Sequence, residues 1–206
     1  MKTLLHINSS LFSAAGQSSQ LAQQFVAGWQ AAHPGANVLH RDLAADPVPH
    51  LDAERFTALI TPAEQRTPAQ QDVVAYADAL LEEVRRADVI VLGLPMYNFG
   101  VPSTLKAYLD HLARAGVTFR YTEQGAVGLV TGKKVYVFAT RGGAYAGTAA
   151  DTETAFLRMF LGFIGLTDVE FVYAERLNMG EDNKQSALLA AQREIAQLIA
   201  PLRAVA

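Results

Sequence analysis

A short loop with two aromatic residues follows one of the most apolar stretches of the chain. The stretch, residues 88–94, has the length and composition of a buried strand. The loop after it consists of Pro95, Met96, Tyr97, Asn98, Phe99 and Gly100. In an open parallel sheet, ligands bind beside the loops at the carboxyl ends of the strands. Aromatic side chains next to Asn and Gly backbone suit a flat heteroaromatic cofactor, so we predict that this loop cradles a flavin ring.

A loop rich in hydroxyl groups, residues 9–19, follows the first predicted strand and leads into a helix. Unpaired backbone N–H groups and the positive end of the helix dipole can bind a phosphate there without any lysine. The loop lacks the Gly-Lys-Ser/Thr ending of a P-loop, which favours a terminal monophosphate over a triphosphate. Ordinary N-capping by Ser13 or Ser18 is the structural alternative. The position of the loop after the first strand favours phosphate binding.

A third loop at the same predicted edge contains Thr140, Arg141, Gly142 and Gly143. Adjacent glycines let the backbone approach a ligand closely, and the arginine or nearby N–H groups would stabilise negative charge on a reduced ring. A lone Gly-Gly pair is most often only a turn. Because three such loops follow the first, third and fourth predicted strands, we predict one composite site at this edge.

Five apolar runs of strand length alternate with segments of helical periodicity. The runs are residues 3–8, 37–41, 88–94, 134–140 and 169–173. This alternation predicts an α/β fold in which a parallel sheet lies between two layers of helices. We therefore expect a flavodoxin-like three-layer sandwich with a five-stranded parallel sheet in the order 2-1-3-4-5.

Length and composition favour a single domain over residues 1–206, because 206 residues with 50% hydrophobic content supply one large core. Two segments exceed ordinary connections. Residues 43–71 are rich in proline, and residues 115–132 show the aromatic alternation of a hairpin. We expect both to be excursions that reach over a ligand or a neighbouring subunit.

The charge balance excludes several classes of partner. The chain has 20 acidic and 17 basic residues, for a net charge of −3, and the basic residues are scattered. This pattern predicts binding to neither nucleic acid nor an anionic membrane, and no apolar run reaches membrane-spanning length. No targeting segment is recognisable, and the lack of cysteine excludes disulfides and fits a reducing compartment. We expect a cytoplasmic protein whose partners are small molecules.

Residue types that usually carry acid–base, nucleophilic or metal chemistry are few. The five histidines show no metal-ligand spacing, so no metal site is predicted, and the Gly-x-Ser-x-Gly motif of serine hydrolases is absent. This scarcity suits chemistry performed by a bound cofactor, for which the protein supplies orientation and electrostatics.

A helix predicted over residues 153–165 points to self-association. Its apolar residues cover nearly the whole circumference, which predicts burial against a second subunit as well as against the sheet. An internal helix under a long loop is the alternative. Phe163 of this helix and Phe119 and Tyr121 of the predicted hairpin fit either a hydrophobic core or a substrate site.

Several longer motifs resemble those of the bacterial FMN-dependent NADH-azoreductases, also called FMN-dependent NADH:quinone oxidoreductases. The motifs are Met96 to Phe99, Ser10 with Gly16 to Ser18, Thr140 to Gly143, residues 114–123 and residues 161–169. The similarity extends over essentially the whole chain.

The resemblance implies a homodimer with two FMN sites at the subunit boundary. NADH or NADPH would reduce the FMN, which would deliver two electrons to quinones or azo compounds in a ping-pong cycle. The chemistry would occur at flavin N5, with no certain catalytic residue. Carried over onto this chain, the phosphate ligands would be Ser10, Gly16, Gln17 and Ser18, the ring ligands Pro95, Met96, Tyr97, Asn98 and Phe99, and the ligands of the pyrimidine end Thr140, Arg141, Gly142 and Gly143. The substrate-pocket residues would be Tyr121, Phe163 and Phe119.

Two other classes of function remain open from the sequence. A flavodoxin-type carrier would pass single electrons from FMN to a protein partner, but its typically strongly acidic surface disagrees with a net charge of −3. A cofactor-free regulatory or binding module would need no functional edge loops. The receiver type of module is disfavoured because the third predicted strand ends in Leu94 and Pro95 rather than in an acceptor Asp.

Overall fold

The computed structural model describes residues 1–204, with side chains described as far as residue 202. The strands are β1 (Thr3–Asn8), β2 (Asn37–Asp42), β3 (Val89–Pro95), β4 (Phe119–Thr122), β5 (Gly125–Gly128), β6 (Lys134–Thr140) and β7 (Asp168–Ala174). The helices are α1 (Gln17–Ala32), α2 (Ala53–Ile60), α3 (Pro68–Arg86), α4 (Ser103–Leu112), α5 (Thr152–Ile164) and α6 (Glu181–Ala204). Short 3₁₀ turns lie at Ser13–Ala15 and Ala63–Gln65.

Five strands form one parallel sheet in the order β2-β1-β3-β6-β7. This is the predicted order 2-1-3-4-5 once the two hairpin strands, β4 and β5, are left out of the count. The register places Pro95 beside Thr140, and Thr140 beside Ala174. The carboxyl ends of the three neighbouring strands are therefore level, and the loops that follow them start at one edge.

Helices cover both faces of the sheet. Because successive strand residues point to opposite sides, each strand contributes side chains to both cores. Leu4 of β1 packs with Phe25 and Trp29 of α1 and with the buried residues of α6. Leu5, its neighbour in the strand, belongs to the second core, which includes the buried residues of α3, α4 and α5. Each large side chain that is fully buried contributes about 1.5–3 kcal/mol of hydrophobic stabilisation. The sheet is thus packed between helices on both faces, which fixes the edge from which the cleft loops start.

The two excursions differ in regularity. The proline-rich segment between β2 and α3 contains a helix, α2, which the sequence did not predict; the Asp52 carboxylate caps it by accepting from the Arg55 N–H at 2.8 Å. A capping box formed by Thr67 and Gln70 then starts α3. The second excursion holds β4 and β5 as an antiparallel pair, as the aromatic alternation predicted.

Helix α5 buries one side rather than its whole circumference. Leu157, Leu161 and Ile164 are buried in the core, whereas Met159 is 76% exposed. The predicted burial against the core is confirmed, whereas burial of the outward apolar side against a second subunit stays a prediction, because no described residue of this chain covers that side. Within the part of the chain that the structure describes, no helix is both long and apolar enough to cross a lipid bilayer.

Candidate functional site

The loops at the carboxyl edge of the sheet enclose a cleft of about 290 Å³. Its lining residues are Ser10, Phe12, Gly16, Gln17, Pro95, Met96, Tyr97, Thr140, Arg141, Gly142, Leu177, Asn178 and Lys184. Nine of them were predicted from the sequence as cofactor ligands. The cleft lies where open parallel sheets bind their ligands, outside the ends of the strands.

The start of α1 provides one wall of the cleft. Its N-cap is Gly16, which has no side chain to accept from the first N–H groups of the helix. An added Cβ at Gly16 would lie 2.2 Å from Ser10 Oγ, so only glycine fits against this serine. Ser18, also predicted as a phosphate ligand, does not line the cleft; its Oγ is buried and has no hydrogen-bond partner among residues 1–204. Unsatisfied donors at a helix start fit a phosphate group.

The loop after β3 is a tight and strained turn. The backbones of Tyr97 and Gly100 exchange two hydrogen bonds of 3.0 Å, with Asn98 and Phe99 between them at φ values of 50° and 62°. Asn tolerates this left-handed region, whereas Phe rarely adopts it, and such strain is typical of ligand-binding loops. The Phe99 ring is 58% exposed and lies edge-on to Tyr145 at 5.6 Å between centroids. Asn98 and Phe99 thus form the turn beside the cleft rather than its lining.

Hydrogen bonds brace the loops against one another. The Tyr97 hydroxyl accepts from the Leu11 N–H at 3.3 Å and lies 3.4 Å from Ser10 Oγ. The Met96 N–H donates to the Thr140 carbonyl at 3.0 Å. The loop after β3 is therefore tied to both neighbouring loops that line the cleft.

Arg141 contributes its backbone to the cleft but turns its side chain inward. The fully buried guanidinium meets Asp151 at 2.6 Å, Glu175 at 3.2 Å and Glu153 at 3.6 Å. The suggestion that this guanidinium stabilises a reduced ring is therefore wrong, since three carboxylates already engage it. Burial, with Asp151 adding to it and Arg141 opposing it, raises the pKa of Glu153 to about 8.

The two glycines after Arg141 permit close packing. A Cβ at Gly142 would lie 2.6 Å from Asn178 Nδ2, and one at Gly143 would lie 2.6 Å from the Tyr145 ring. Gly142 accepts from the Asn178 N–H at 3.0 Å. The glycine loop is thus packed against the loop after β7.

Sequence reasoning missed this fourth wall, formed by the loop after β7 and the start of α6. Leu177, Asn178 and Lys184 lie there, and the Leu177 N–H donates to the Arg141 carbonyl at 3.1 Å. The available signal was the turn sequence from Asn178 to Gly180 after the last strand, which places another loop at the ligand-binding edge.

Two of the three predicted substrate-pocket residues, Phe119 and Tyr121, line a different cavity, an aromatic groove of about 590 Å³ between α2 and the hairpin, whereas Phe163 does not line it. Phe119 and Tyr121 line it together with Phe56 and Ile60 of α2. Phe163 stacks on Phe119 with ring centroids 4.2 Å apart. Phe119 is buried, whereas Tyr121 is 74% exposed. The aromatic groove and the cleft share no lining residue, so one chain does not bring the two predicted sets together.

Comparison with known proteins defines the class first. Residues 2–199 match the model of a protein family described as having a flavodoxin-like fold. The solved azoreductase from Bacillus anthracis str. Sterne is similar, with a TM-score of 0.88 and 30% identity over 97% of this chain and 99% of that one. An FMN-dependent NADH-azoreductase from Bacillus anthracis str. Ames Ancestor, solved in complex with FMN, has a TM-score of 0.85 and 25% identity over 97% and 100% of the chains.

Curated relatives narrow the class further. An FMN-dependent NADH:quinone oxidoreductase of Cellvibrio japonicus is 58% identical over 97% of this chain and 100% of its own. One of Alcanivorax borkumensis is 55% identical over 93% of this chain and 97% of its own. The chain belongs to the family of FMN-dependent NADH:quinone oxidoreductases.

Proposed function

We propose that the protein uses FMN to transfer two electrons from NADH, or from NADPH, to quinones and azo compounds. One observation carries the proposal: three loops at the strand ends form one cleft, which meets a helix start that no side chain caps. The names of the relatives above agree with this activity, as does the FMN in a structurally similar azoreductase.

The residues of the cleft fit FMN in two respects. Ser10, Gln17 and Ser18, with the free N–H groups at the start of α1, would hold the phosphate. Pro95, Met96 and Tyr97 on one side and Thr140 with Gly142 on the other offer backbone and apolar surface for the ring. When bound, the flavin supplies the chemistry, since it accepts a hydride from the nicotinamide and passes it to the acceptor.

The protein's own contribution is orientation. Hydrogen bonds between the loops fix Tyr97 and Met96 in place, so the ring would be held in one plane. The Arg141 guanidinium is buried and turned away from the cleft, whereas the glycine loop brings backbone N–H groups to it. We propose that these groups, rather than a charged side chain, stabilise negative charge at the pyrimidine end of the ring.

We further propose that the active form is a homodimer with two sites at the subunit boundary. The outward apolar side of α5 and the exposed Tyr121 need a partner surface, and the aromatic groove of one chain does not reach its own cleft. In a dimer, the groove of each subunit would complete the cleft of the other. Donor and acceptor would then use one completed site in turn, as a ping-pong cycle requires. We propose that residues 1–206 act as one FMN-binding domain in the cytoplasm.

The first test is an anaerobic titration of the FMN-reconstituted, desalted protein with NADH, followed by visible absorbance. Retained flavin that bleaches directly to the two-electron form is the expected result. Build-up of singly reduced flavin would favour a one-electron carrier instead, and a colourless protein after desalting would refute the proposal.

The dimer has its own test, in which a subunit with a blocked cleft is mixed and refolded with a Tyr121→Ala subunit. The assay uses a quinone concentration well below KM, where the Tyr121→Ala parent is slow. If the sites lie at the subunit boundary, statistical pairing then gives the mixed dimers about a quarter of wild-type activity, because one site of each mixed dimer is intact. If each chain builds its own site, mixing restores nothing.

A further inference from the structure

The cleft is lined by a lysine that lies outside the segment predicted to bind phosphate, residues 9–19. Lys184, at the end of the first turn of α6, lines the same cleft as Ser10, Gly16 and Gln17. Helices α1 and α6 pack side by side in one core. Both helices follow loops at the carboxyl edge of the sheet, so their starts lie at the same end of the molecule.

Lys184 is the cation of the cleft that remains available to a ligand. The guanidinium of the other basic lining residue, Arg141, is fully buried and is engaged by the acidic side chains of Asp151, Glu153 and Glu175. Among the described residues, the nearest carboxylate oxygen to Lys184 Nζ belongs to Glu181 at 3.7 Å, which is beyond hydrogen-bond distance. Both side chains are solvent-accessible, at 37% and 65% exposure, so this contact is weak and exchangeable.

The position of Lys184 conflicts with helix electrostatics. The first turn of a helix favours anions, and α6 begins with Glu181 and Asp182 as expected. A lysine one turn into the helix lies close to the positive end of the same dipole. Local conflicts of this kind are typical of functional positions, where a ligand supplies the missing opposite charge.

The neighbouring start of α1 calls for such a ligand. The start of α1 has no capping side chain, and the buried Ser18 Oγ has no partner among residues 1–204. A phosphate monoester carries about −1.5 to −2 charges at pH 7, whereas a helix start offers only about half a positive charge. The start of α1 alone therefore leaves most of that charge uncompensated.

We infer that Lys184 supplies the positive charge that binds the phosphate of the flavin cofactor, together with the start of α1. The inference rests on the proposed FMN dependence and assigns it a residue on α6. Lys184 would release Glu181 and approach the phosphate when the cofactor enters. The protein should accordingly prefer FMN to riboflavin, which has the same ring and no phosphate, and Lys184 should account for part of that preference.

The test measures the dissociation constants of FMN and riboflavin for the apoprotein by quenching of flavin fluorescence. Lys184→Met is compared with Lys184→Arg, which keeps the charge. A third variant, Lys2→Met, makes the same charge change at the amino-terminal edge of the sheet. Lys184→Met is expected to weaken FMN binding about tenfold or more, as for the loss of a hydrogen bond to a charged group. Riboflavin binding should stay unchanged, and the affinity for FMN should depend less on salt.

Each other outcome has a distinct meaning. Equal weakening of FMN and riboflavin binding would overturn the inference, because the lysine would then shape the cleft rather than bind phosphate. Unchanged FMN affinity with a lowered flavin reduction potential, or with a raised KM for NADH, would also overturn it and assign the charge to the ring or to the nucleotide. If the wild-type protein binds neither flavin, the proposed function fails and not merely the role of Lys184.

Discussion

The cofactor cleft and the aromatic groove are built in opposite ways. The cleft is formed where parallel strands end, and hydrogen bonds such as that from the Met96 N–H to the Thr140 carbonyl fix its loops. The groove is formed by the side chains of α2 and the hairpin, and Tyr121 in it is largely exposed. Under the proposed assignment, the difference means that cofactor binding would depend on the sheet itself, whereas contacts with substrate would depend on excursions that can change without disturbing the sheet.

The largest effect on stability is expected from Arg141, whose buried guanidinium contacts three acidic side chains. Arg141→Met leaves the Asp151 and Glu175 carboxylates without their shared cation and removes the partner of the buried Glu153, which should lower the free energy of unfolding by about 3–5 kcal/mol. Urea unfolding measures the loss, and the exposed Arg158→Met serves as the control. Normal stability with lost turnover would show that the guanidinium serves the ligand after all.

A methyl group in the wall of the cleft should affect binding rather than folding. Gly16→Ala places a Cβ against Ser10 Oγ, so Ser10 must move, and we expect flavin affinity to fall about tenfold or more. Gly162→Ala, in α5, meets nothing within 4 Å and should leave flavin affinity as it is. Equal affinities of the two variants for FMN would mean that the start of α1 does not hold the cofactor.

The pKa of Glu153 predicts a pH effect on stability. Burial raises this pKa from 4.5 to about 8, so between these values the folded protein binds a proton that the unfolded chain has lost. The contribution of Glu153 to stability therefore falls as pH rises from 4.5 to 8 and stays low above pH 8. Glu153→Gln should remove this fall and stabilise the protein at pH 8.5 by about 1–3 kcal/mol. Thermal unfolding across the pH range measures both effects, and an unchanged slope would contradict the shift.

Strain in the turn beside the cleft should separate stability from function. Phe99→Gly removes both the ring and the cost of a left-handed backbone, whereas Phe99→Ala removes the ring alone. We expect the glycine variant to be about 1 kcal/mol more stable than the alanine variant, with turnover reduced in both. Equal stabilities in chemical denaturation would argue against strain at this position.

The smallest effect on the fold is expected in the groove. Tyr121→Ala should change the free energy of unfolding by less than about 0.5 kcal/mol, because the side chain is largely exposed. Flavin affinity should not change, while the KM for a quinone should rise several-fold. Phe119→Ala, a buried neighbour, should instead cost about 3 kcal/mol. A loss of FMN from the Tyr121 variant would erase the distinction between the two regions.

The strands and their loops were predictable because local patterns encode them. Apolar runs set the strands, and the rule that ligands bind at carboxyl ends gathered Ser10, Tyr97 and Thr140 into one cleft before any coordinates. The alternation of five strands with crossover helices also indicated the flavodoxin-like strand order that the sheet has. Helix α2 was missed because prolines on both sides obscured its short amphipathic pattern.

Features that depend on distant residues were out of reach. The partners of Arg141 lie ten to 34 positions away, and no local pattern says that its side chain turns inward to meet them. Lys184 reaches the cleft because α6 packs beside α1, although more than 160 residues separate it from Gln17. The separation of the aromatic groove from the cleft depends on how the excursions fold, which their composition does not specify.

The Tyr97 hydroxyl joins the loop after β3 to the loop after β1 through contacts made entirely within the chain. Binding therefore has little disorder to remove, and the entropic penalty for ordering these segments is already met during folding. Reassociation of flavin with the apoprotein should proceed as a simple second-order reaction. Its rate should rise linearly with flavin concentration, without the plateau that a slow rearrangement of the loops would impose.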